Sequence, residues 1–248
     1  MRIFKLKMKD LFSSQSHLYQ KARPSYPQNV IDEILKHVPE QTRAWDCGAG
    51  SGQFTKLLSP YFQEIIASDL SEQQISQAPQ LPNVQYLVQP AEQNDFESSS
   101  FDLITVAQAI HWFNFDAFYA EVKRVLKPNG LFAVVGYGLI QAENEALQKE
   151  IQHLYFEILN GYWDVERRYV DEAYSTIPFP FEEIETPQFT MEYSWSAVQL
   201  LDYFGTWSAL KHYQKQNTDD PLTDMKQLFA QSDAVYKVQF PILLRMGR

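Results

Sequence analysis

The chain has 248 residues, of which 45% are hydrophobic, enough for one large domain with its own core rather than two independent domains. Its formal net charge of −10 argues against a protein that binds nucleic acid through clustered Lys and Arg, and favours a small-molecule partner. The single cysteine, Cys47, rules out an intramolecular disulfide. Since no apolar stretch has the length of a signal peptide or a membrane span, we expect a cytoplasmic protein without a membrane partner.

The N-terminal part contains a proline-rich segment, residues 19–27, that reads Tyr-Gln-Lys-Ala-Arg-Pro-Ser-Tyr-Pro. Its two prolines restrict the residues before them to extended geometry, so the segment is at least a rigid linker. A helix is predicted to start at Pro27, which suits a first helical turn.

Residues 45–53 read Trp-Asp-Cys-Gly-Ala-Gly-Ser-Gly-Gln and predict a strand, a glycine turn and a helix start. Glycines at alternate positions let the backbone adopt positive φ and approach a ligand closely, although such turns also serve plain tight packing. A dinucleotide fingerprint needs its third glycine where Gln53 stands, which speaks against a nicotinamide oxidoreductase. The carboxylate of Asp46, ahead of the first glycine, suits a ligand that carries an ammonium group.

Two further strands are predicted at residues 64–69 and 84–88. Asp69 ends the first of them, about twenty residues beyond the glycine turn, where a carboxylate can accept both ribose hydroxyls of an adenosine. The alternative is a solvent-facing acid. Glu92, in the turn after the second strand, is either a ligand contact or an exposed loop acid.

A fourth strand, residues 101–106, leads into the segment 108–113, Gln-Ala-Ile-His-Trp-Phe. Ligands of open α/β sheets sit beyond the carboxyl ends of the strands, so this segment is predicted to lie beside the ligand. His111 is either a packed, hydrogen-bonded side chain or a general base, because its ordinary pKa lies near neutrality. A helix capped by Asn114 and a fifth strand, residues 131–137, follow.

The second half of the chain departs from the strand–helix repeat. A long amphipathic helix is predicted over residues 141–160, followed by Arg167 and Arg168, which either line a solvated helix face or recognise a carboxylate. An interrupted sixth strand within residues 178–193, a helix over 195–213, a helix after Pro221 and a last strand at 235–246 complete the prediction.

The Asp-x-Gly-x-Gly-x-Gly pattern of residues 46–52 resembles the first motif of the class I S-adenosylmethionine-dependent methyltransferases. The 19–27 segment, the His-Trp-Phe of 111–113 and the Thr-Trp-Ser-Ala of 206–209 resemble the trans-aconitate-methyltransferase-like branch of that class. The resemblance implies an α/β fold with a Rossmann-like seven-stranded methyltransferase sheet, mostly parallel with the last strand antiparallel, and helices on both faces. It also implies a single domain over 1–248, with an N-terminal lid at 1–27 and a helical cap insertion at about 141–180.

The resemblance further implies S-adenosyl-L-methionine as cofactor and a small-molecule methyl acceptor as partner. The turn that contains Glu92 would edge the adenine, although residues 93–96 depart from the apolar-proline continuation usual there. The acceptor would meet His111, Trp112, Arg167 and Arg168. The implied cofactor-binding residues are Tyr19, Arg23, Asp46, Gly48, Ala49, Gly50, Gly52, Asp69, Leu70, Ala91, Glu92 and Gln108.

Methyl transfer from a sulfonium has an excellent leaving group, so the enzyme's main task is to position the nucleophile. A carboxylate acceptor is already anionic and needs no base, so arginines that orient it would matter most. A hydroxyl or amine acceptor would use His111 as a base, and a non-catalytic cofactor-binding scaffold is a further alternative. The sequence has no Cys pair, metal-ligand spacing or nucleophile elbow, so we expect no metal site and no acyl-enzyme mechanism.

Overall fold

The computed structural model describes residues 22–231 and 234–248. Tyr19 and most of the predicted 1–27 lid lie outside these residues. The strands are β1 (Arg43–Cys47), β2 (Glu64–Asp69), β3 (Val84–Val88), β4 (Phe101–Ala107), β5 (Leu126–Tyr137), β6 (Gln141–Ala142), β7 (Glu183–Ile184), β8 (Thr190–Ser196) and β9 (Val235–Gly247). The α-helices are α1 (Gln28–Lys36), α2 (Gln53–Leu58), α3 (Glu72–Ile75), α4 (Phe115–Val125), α5 (Glu145–His153), α6 (Arg168–Asp171), α7 (Ala197–Gly205), α8 (Ser208–Gln216) and α9 (Thr223–Ala230).

One twisted sheet organises the described residues, with strand order β3-β2-β1-β4-β5-β9-β6. Strands β1 to β5 are parallel, whereas β9 runs antiparallel to β5 and also pairs with β6, β7 and β8. The predicted Rossmann-like methyltransferase fold is therefore confirmed, including its antiparallel last strand. The strand count exceeds seven because β6 and β7 are two-residue additions to β9.

Both faces of the sheet are covered by helices, which is why the strands read as continuous apolar runs. One face packs against α1, α2, α5, α7, α8 and α9, and the other packs chiefly against α4. Adjacent strand residues point to opposite faces, so they belong to two separate cores. Ala44, Ile65 and Leu103 lie in the first core, and Trp45, Ile66 and Ile104 lie in the second.

Side-chain caps fix where several helices begin. The Asn114 carboxamide accepts a hydrogen bond from the Ala117 N–H at 3.2 Å, as its position before α4 predicts. Ser196 and Gln199 form a reciprocal capping box at the start of α7. Among the described residues, no helix combines the length and the apolar character needed to cross a bilayer.

The predicted extents of two helices are wrong. The helix expected over 141–160 is shorter, because Gln141–Ala142 pairs with β9 and α5 passes into a π-helix at Leu154–Ile158. The helix expected over 195–213 is two helices, since Ser196 still belongs to β8 and the chain breaks between α7 and α8. In both places pairing and packing with distant residues outweigh the local helical period. The sixth strand expected within 178–193 is interrupted as predicted, because β7 and β8 are separate strands, and β8 continues to Ser196.

Candidate active site

The glycine turn that joins β1 to α2 lies at the carboxyl edge of the sheet. The Gly48 N–H donates to the carbonyl oxygen of Ser68 at 2.8 Å, which ties the turn to β2. Gly48 has φ of 71°, and a Cβ there would lie 2.6 Å from the Ala109 Cβ. Gly50 has φ of 55°, and a Cβ there would lie at ordinary contact distance, 3.8 Å, from the Gln74 Oε1 atom. At Gly48 the turn therefore packs against Ala109, just after the end of β4. At Gly50, which lines the cavity, no side chain covers the backbone.

Asp46 and Gly52 belong to the same motif but do not line the cavity beside it. Asp46 is fully buried; its Oδ2 accepts from the Thr55 hydroxyl at 2.5 Å and its Oδ1 accepts from the Thr105 hydroxyl at 2.9 Å. Burial raises its carboxyl pKa to about 6 despite these hydrogen bonds. A Cβ on Gly52 would lie 2.9 Å from the Tyr86 hydroxyl oxygen. In this geometry both residues pack on the side of the turn that faces away from the cavity. The predicted contact of Asp46 with an ammonium group stays a prediction.

Asp69 ends β2 and faces the cavity. Its Oδ2 accepts from the Gly50 N–H at 2.9 Å and its Oδ1 accepts from the Ser71 N–H at 2.8 Å. Each carboxylate oxygen has a further lone pair, so the side chain can still accept hydrogen bonds from a ligand. Asp69 thus links the glycine turn to the end of the neighbouring strand.

A large cavity of about 950 Å³ opens at this edge of the sheet. Among the described residues, its lining includes four carboxylates and one guanidinium, that of Arg23, so it suits a cationic ligand. The acids are Asp69, Glu72, Glu92 and Glu166. The predicted residues that line it are Arg23, Gly48, Ala49, Gly50, Asp69, Leu70, Ala91, Glu92, Gln108 and Trp112. Sequence reasoning missed Cys47, Gln89, Tyr137 and Glu166, which reach the cavity from positions without a distinctive pattern.

Gln108 closes the end of β4 against β5. Its Oε1 accepts from the Tyr137 N–H at 3.1 Å and its Nε2 donates to the Tyr137 carbonyl oxygen at 3.2 Å. The side-chain amide thus forms the two hydrogen bonds with Tyr137 that the backbone of a paired strand would form. The Tyr174 hydroxyl donates to the same Oε1 at 3.2 Å. Gln108 has φ of 56°, an uncommon value for a residue other than glycine. The amide is therefore held in one orientation at the mouth of the large cavity.

A smaller side cavity of about 50 Å³ adjoins the large one and shares three of its lining residues. The shared residues are Arg23, Gln108 and Trp112. The remaining residues that line it are His111, Trp163, Asp164, Arg167, Trp207 and Ser208. Three indoles and two guanidiniums thus surround a space for a small polar group. Trp163 and Trp207 are far apart in the chain, and no local pattern predicts that they meet here.

His111 is 8% exposed, and its Nδ1 is buried with no hydrogen-bond partner among the described residues. Its ring lies 5.0 Å from that of Trp112 and 6.3 Å from that of Tyr174. Burial, reinforced by the positive charges of Arg167 and Arg23, lowers the pKa of His111 to about 3. The imidazole is therefore neutral at physiological pH.

The structure separates the two arginines that the sequence placed together. Arg167 lines the side cavity; its Nε donates to the Tyr155 hydroxyl at 2.9 Å and to Asp171 Oδ1 at 3.3 Å, and its guanidinium lies over the Trp163 ring. Arg168 is exposed, lines neither cavity and donates to the Tyr169 hydroxyl at 3.0 Å. The predicted acceptor contact therefore fits Arg167, while the geometry of Arg168 does not support one.

Known proteins resemble this chain over its whole length. Residues 45–134 match the family described as a methyltransferase domain. A candidate methyltransferase of Dictyostelium discoideum is 34% identical over 252 residues, which cover 98% of this chain and 96% of that protein. The solved structure of a candidate type II methyltransferase from Anaeromyxobacter dehalogenans is similar with a TM-score of 0.83 and 37% identity, over 91% of this chain and 97% of that one.

A third relative names the methyl donor. A candidate S-adenosylmethionine-dependent methyltransferase of Saccharomyces cerevisiae is 32% identical over 128 residues, 48% of this chain and 44% of that protein. The chain belongs to the class I S-adenosylmethionine-dependent methyltransferases, as its glycine motif predicts. S-adenosylmethionine is its cofactor, and the acid-lined cavity beside the bare backbone of Gly50 fits a ligand with a sulfonium and an ammonium group. Among the described residues, no group of three or more His, Cys, Asp or Glu side chains is arranged to hold a metal ion.

Proposed function

We propose that the protein methylates a carboxylate oxygen of a small organic acid, in the manner of the trans-aconitate-methyltransferase-like branch that its motifs resemble. The observation that carries this proposal is the side cavity, where the guanidiniums of Arg23 and Arg167 flank a small space directly next to the cofactor cavity. Guanidinium groups bind carboxylates through charge and paired hydrogen bonds. The acceptor would enter with its carboxylate toward these arginines.

The residues of the large cavity hold the cofactor in this proposal. When bound, S-adenosylmethionine supplies a methyl group on a positively charged sulfur. Asp69 accepts hydrogen bonds from the ribose, and Glu92 and Leu70 border the adenine. Gln108, fixed by its pairing with Tyr137, marks the boundary between the cofactor and the acceptor.

The electrostatics of His111 favour a carboxylate over a hydroxyl or an amine. A general base works best when its pKa is near the working pH, whereas burial and two neighbouring guanidiniums lower the pKa of His111 to about 3. A proton transferred to this imidazole would be strongly disfavoured. A carboxylate acceptor needs no such transfer, because it is already ionised at neutral pH.

The proposal also assigns roles to two flanking regions. Arg23, Pro24 and Tyr26, at the end of the 1–27 segment, line the cofactor cavity, which supports a role for that segment as a lid. Glu166 and Arg167, inside the 141–180 insertion, reach the two cavities, which supports its role as a cap over the acceptor.

The test is to incubate the enzyme with a pool of small carboxylic acids and S-adenosylmethionine carrying a deuterated methyl group, and to identify products by mass spectrometry. We expect a methyl ester, which mild alkali hydrolyses with release of labelled methanol. A label that survives alkali would identify an ether or a methylamine and overturn the proposal. Arg167→Gln should raise the acceptor KM by about tenfold or more, since a charged hydrogen bond is lost, whereas its neighbour Arg168→Gln serves as the matched control and should leave KM unchanged.

A further inference from the structure

His111 lines the side cavity, and its Nδ1 is a buried polar atom. Its side chain is more than nine-tenths buried, and the atom has no hydrogen-bond partner among the described residues. A buried polar atom without a partner costs free energy unless a water molecule or a ligand satisfies it. Because His111 lines the cavity, the missing partner points to a group that enters this space.

The charges around His111 determine what that group can be. Arg167 and Arg23 contribute positive charge, Asp164 is the one carboxylate among the described lining residues, and the Tyr174 ring stacks on the imidazole. The two guanidiniums favour an anion, and burial together with their positive charges keeps the imidazole neutral. A neutral imidazole carries one N–H donor and one acceptor nitrogen, so a nitrogen that faces an anion must be the donor.

The orientation of Arg167 leaves its terminal nitrogens available for the same group. Its hydrogen bonds to Tyr155 and Asp171 both use Nε, and the guanidinium plane is supported by the rings of Tyr155 and Trp163. No hydrogen bond of the described residues engages Nη1 or Nη2. A volume of about 50 Å³ holds only a few heavy atoms, which is the size of a carboxylate group and not of a whole metabolite.

We propose that His111 binds the acceptor's carboxylate as a neutral donor through Nδ1–H, beside Arg167, and that this pair selects carboxylates over uncharged acceptors. His111 is then a specificity-determining residue and not a base. The inference rests on the proposed carboxylate methylation and adds to it the atom that recognises the acceptor. Because burial and the two arginines keep this histidine unprotonated, its N–H donor adds no third positive charge to the site.

Acetate is a suitable probe, with acetamide as its uncharged isostere, titrated into the full chain saturated with S-adenosylhomocysteine. Binding is measured through tryptophan fluorescence, because Trp112, Trp163 and Trp207 line the cavity. His111→Asn keeps an N–H donor one bond from Cγ, where Nδ1 stands, whereas His111→Gln places its donor one bond further out. Titration of S-adenosylhomocysteine itself into each variant shows whether the cofactor cavity is intact.

We expect acetate to bind the wild type and acetamide not to bind. His111→Asn should retain acetate affinity within about threefold, while His111→Gln and Arg167→Gln should lose about tenfold to a hundredfold. Cofactor affinity should stay unchanged in all three. Acetate affinity should also be flat from about pH 5.5 to 8.5, because neither the acetate nor the imidazole titrates in that range.

The outcomes separate this inference from the proposed function. If acetate binding depends on Arg167 but is the same in wild type and His111→Gln, the role of His111 is wrong and the carboxylate site stands. Acetate affinity that rises as the pH falls through about 6.5 would mean that a protonated imidazole binds the anion, and would also overturn the role of a neutral donor. Acetate binding that ignores both residues would remove the carboxylate site, and with it the proposed function.

Discussion

Asp46 and Asp69 stand at the carboxyl ends of neighbouring parallel strands, yet their environments differ. Asp46 is fully buried and both its oxygens accept from threonine hydroxyls, whereas Asp69 faces the cavity and accepts from two backbone N–H groups. Desolvation is therefore the main influence on the pKa of Asp46. Of the two carboxylates, only Asp69 lies where a ligand in the cavity can contact it. The two carboxylates lead to different predictions.

Asp69→Asn should weaken S-adenosylmethionine binding by about tenfold to a hundredfold, because a hydrogen bond to a charged acceptor is lost where the ribose is predicted to lie. The amide keeps one acceptor oxygen for the turn, so the fold should be retained. Isothermal titration calorimetry measures the affinity. Asp116→Asn, which changes an exposed acid of α4, is the matched control, and equal affinity of both variants would remove Asp69 from the cofactor site.

Asp46 predicts a pH dependence of stability. Its pKa is raised to about 6, so the folded protein binds this proton more tightly than the unfolded chain does. The resulting stabilisation is complete below the pKa of this carboxyl in the unfolded chain, about 4, and is lost as the pH rises through its folded-state pKa of about 6. The free energy of unfolding of the wild type relative to Asp46→Asn should thus fall by about 3 kcal/mol between about pH 4 and 8. Urea denaturation of both proteins across this range checks it; a constant difference would contradict the raised pKa.

At the scale of elements, the π-helix at Leu154–Ile158 is a feature that the local sequence pattern does not predict. It follows α5 directly and carries Tyr155, whose hydroxyl donates to Asp171 Oδ1 at 2.5 Å and accepts from Arg167 Nε. The Tyr155 ring also lies 4.5 Å from that of Trp163. Single π turns within helices are frequent at functional sites. Here the wider turn places the phenol that orients the arginine of the side cavity.

Tyr155→Phe should raise the half-saturating concentration of acetate, and the acceptor KM once the acceptor is known, by about threefold to tenfold, because one hydrogen bond that orients Arg167 is lost. The maximal rate and the cofactor affinity should change little, which distinguishes a positioning role from a general loss of structure. Tyr213→Phe is the matched control. Tyr213 lies on α8 and lines neither cavity, and its hydroxyl donates to Asp219 at 2.7 Å. Equal effects of the two variants would argue against the positioning role.

At the scale of the whole molecule, the charge distribution favours a cationic cofactor. The chain carries a net charge of −10, and the part of the large cavity's lining that the structure describes has four carboxylates and one arginine. The side cavity has the opposite balance, with two arginines, one carboxylate and a neutral histidine. A cationic donor and an anionic acceptor are therefore each matched by the cavity proposed for them.

Salt should weaken S-adenosylmethionine binding more than S-adenosylhomocysteine binding, because only the first carries the sulfonium charge. Between low salt and about 0.5 M salt we expect the ratio of the two dissociation constants to change by about threefold, since the cavity is open to solvent and its charges are screened. Calorimetric titration of both ligands at several salt concentrations measures this ratio. A ratio independent of salt would mean that the cavity acids do not act on the sulfonium.

The sequence by itself determined the parallel sheet, the glycine turn, the carboxylate at the end of β2 and hence the class of enzyme and its cofactor. These features depend on local sequence. Strand residues alternate between two faces, and Gly48 and Gly50 adopt positive φ because glycine has no Cβ.

Only the tertiary structure decided that Asp46 lies behind the turn and that Arg167, not Arg168, reaches a cavity with His111 and Arg23. These residues come from distant parts of the chain, so their meeting depends on how the 141–180 region packs against the end of the sheet. Adjacent residues on a helix point in different directions, and no local pattern says which of them faces the site.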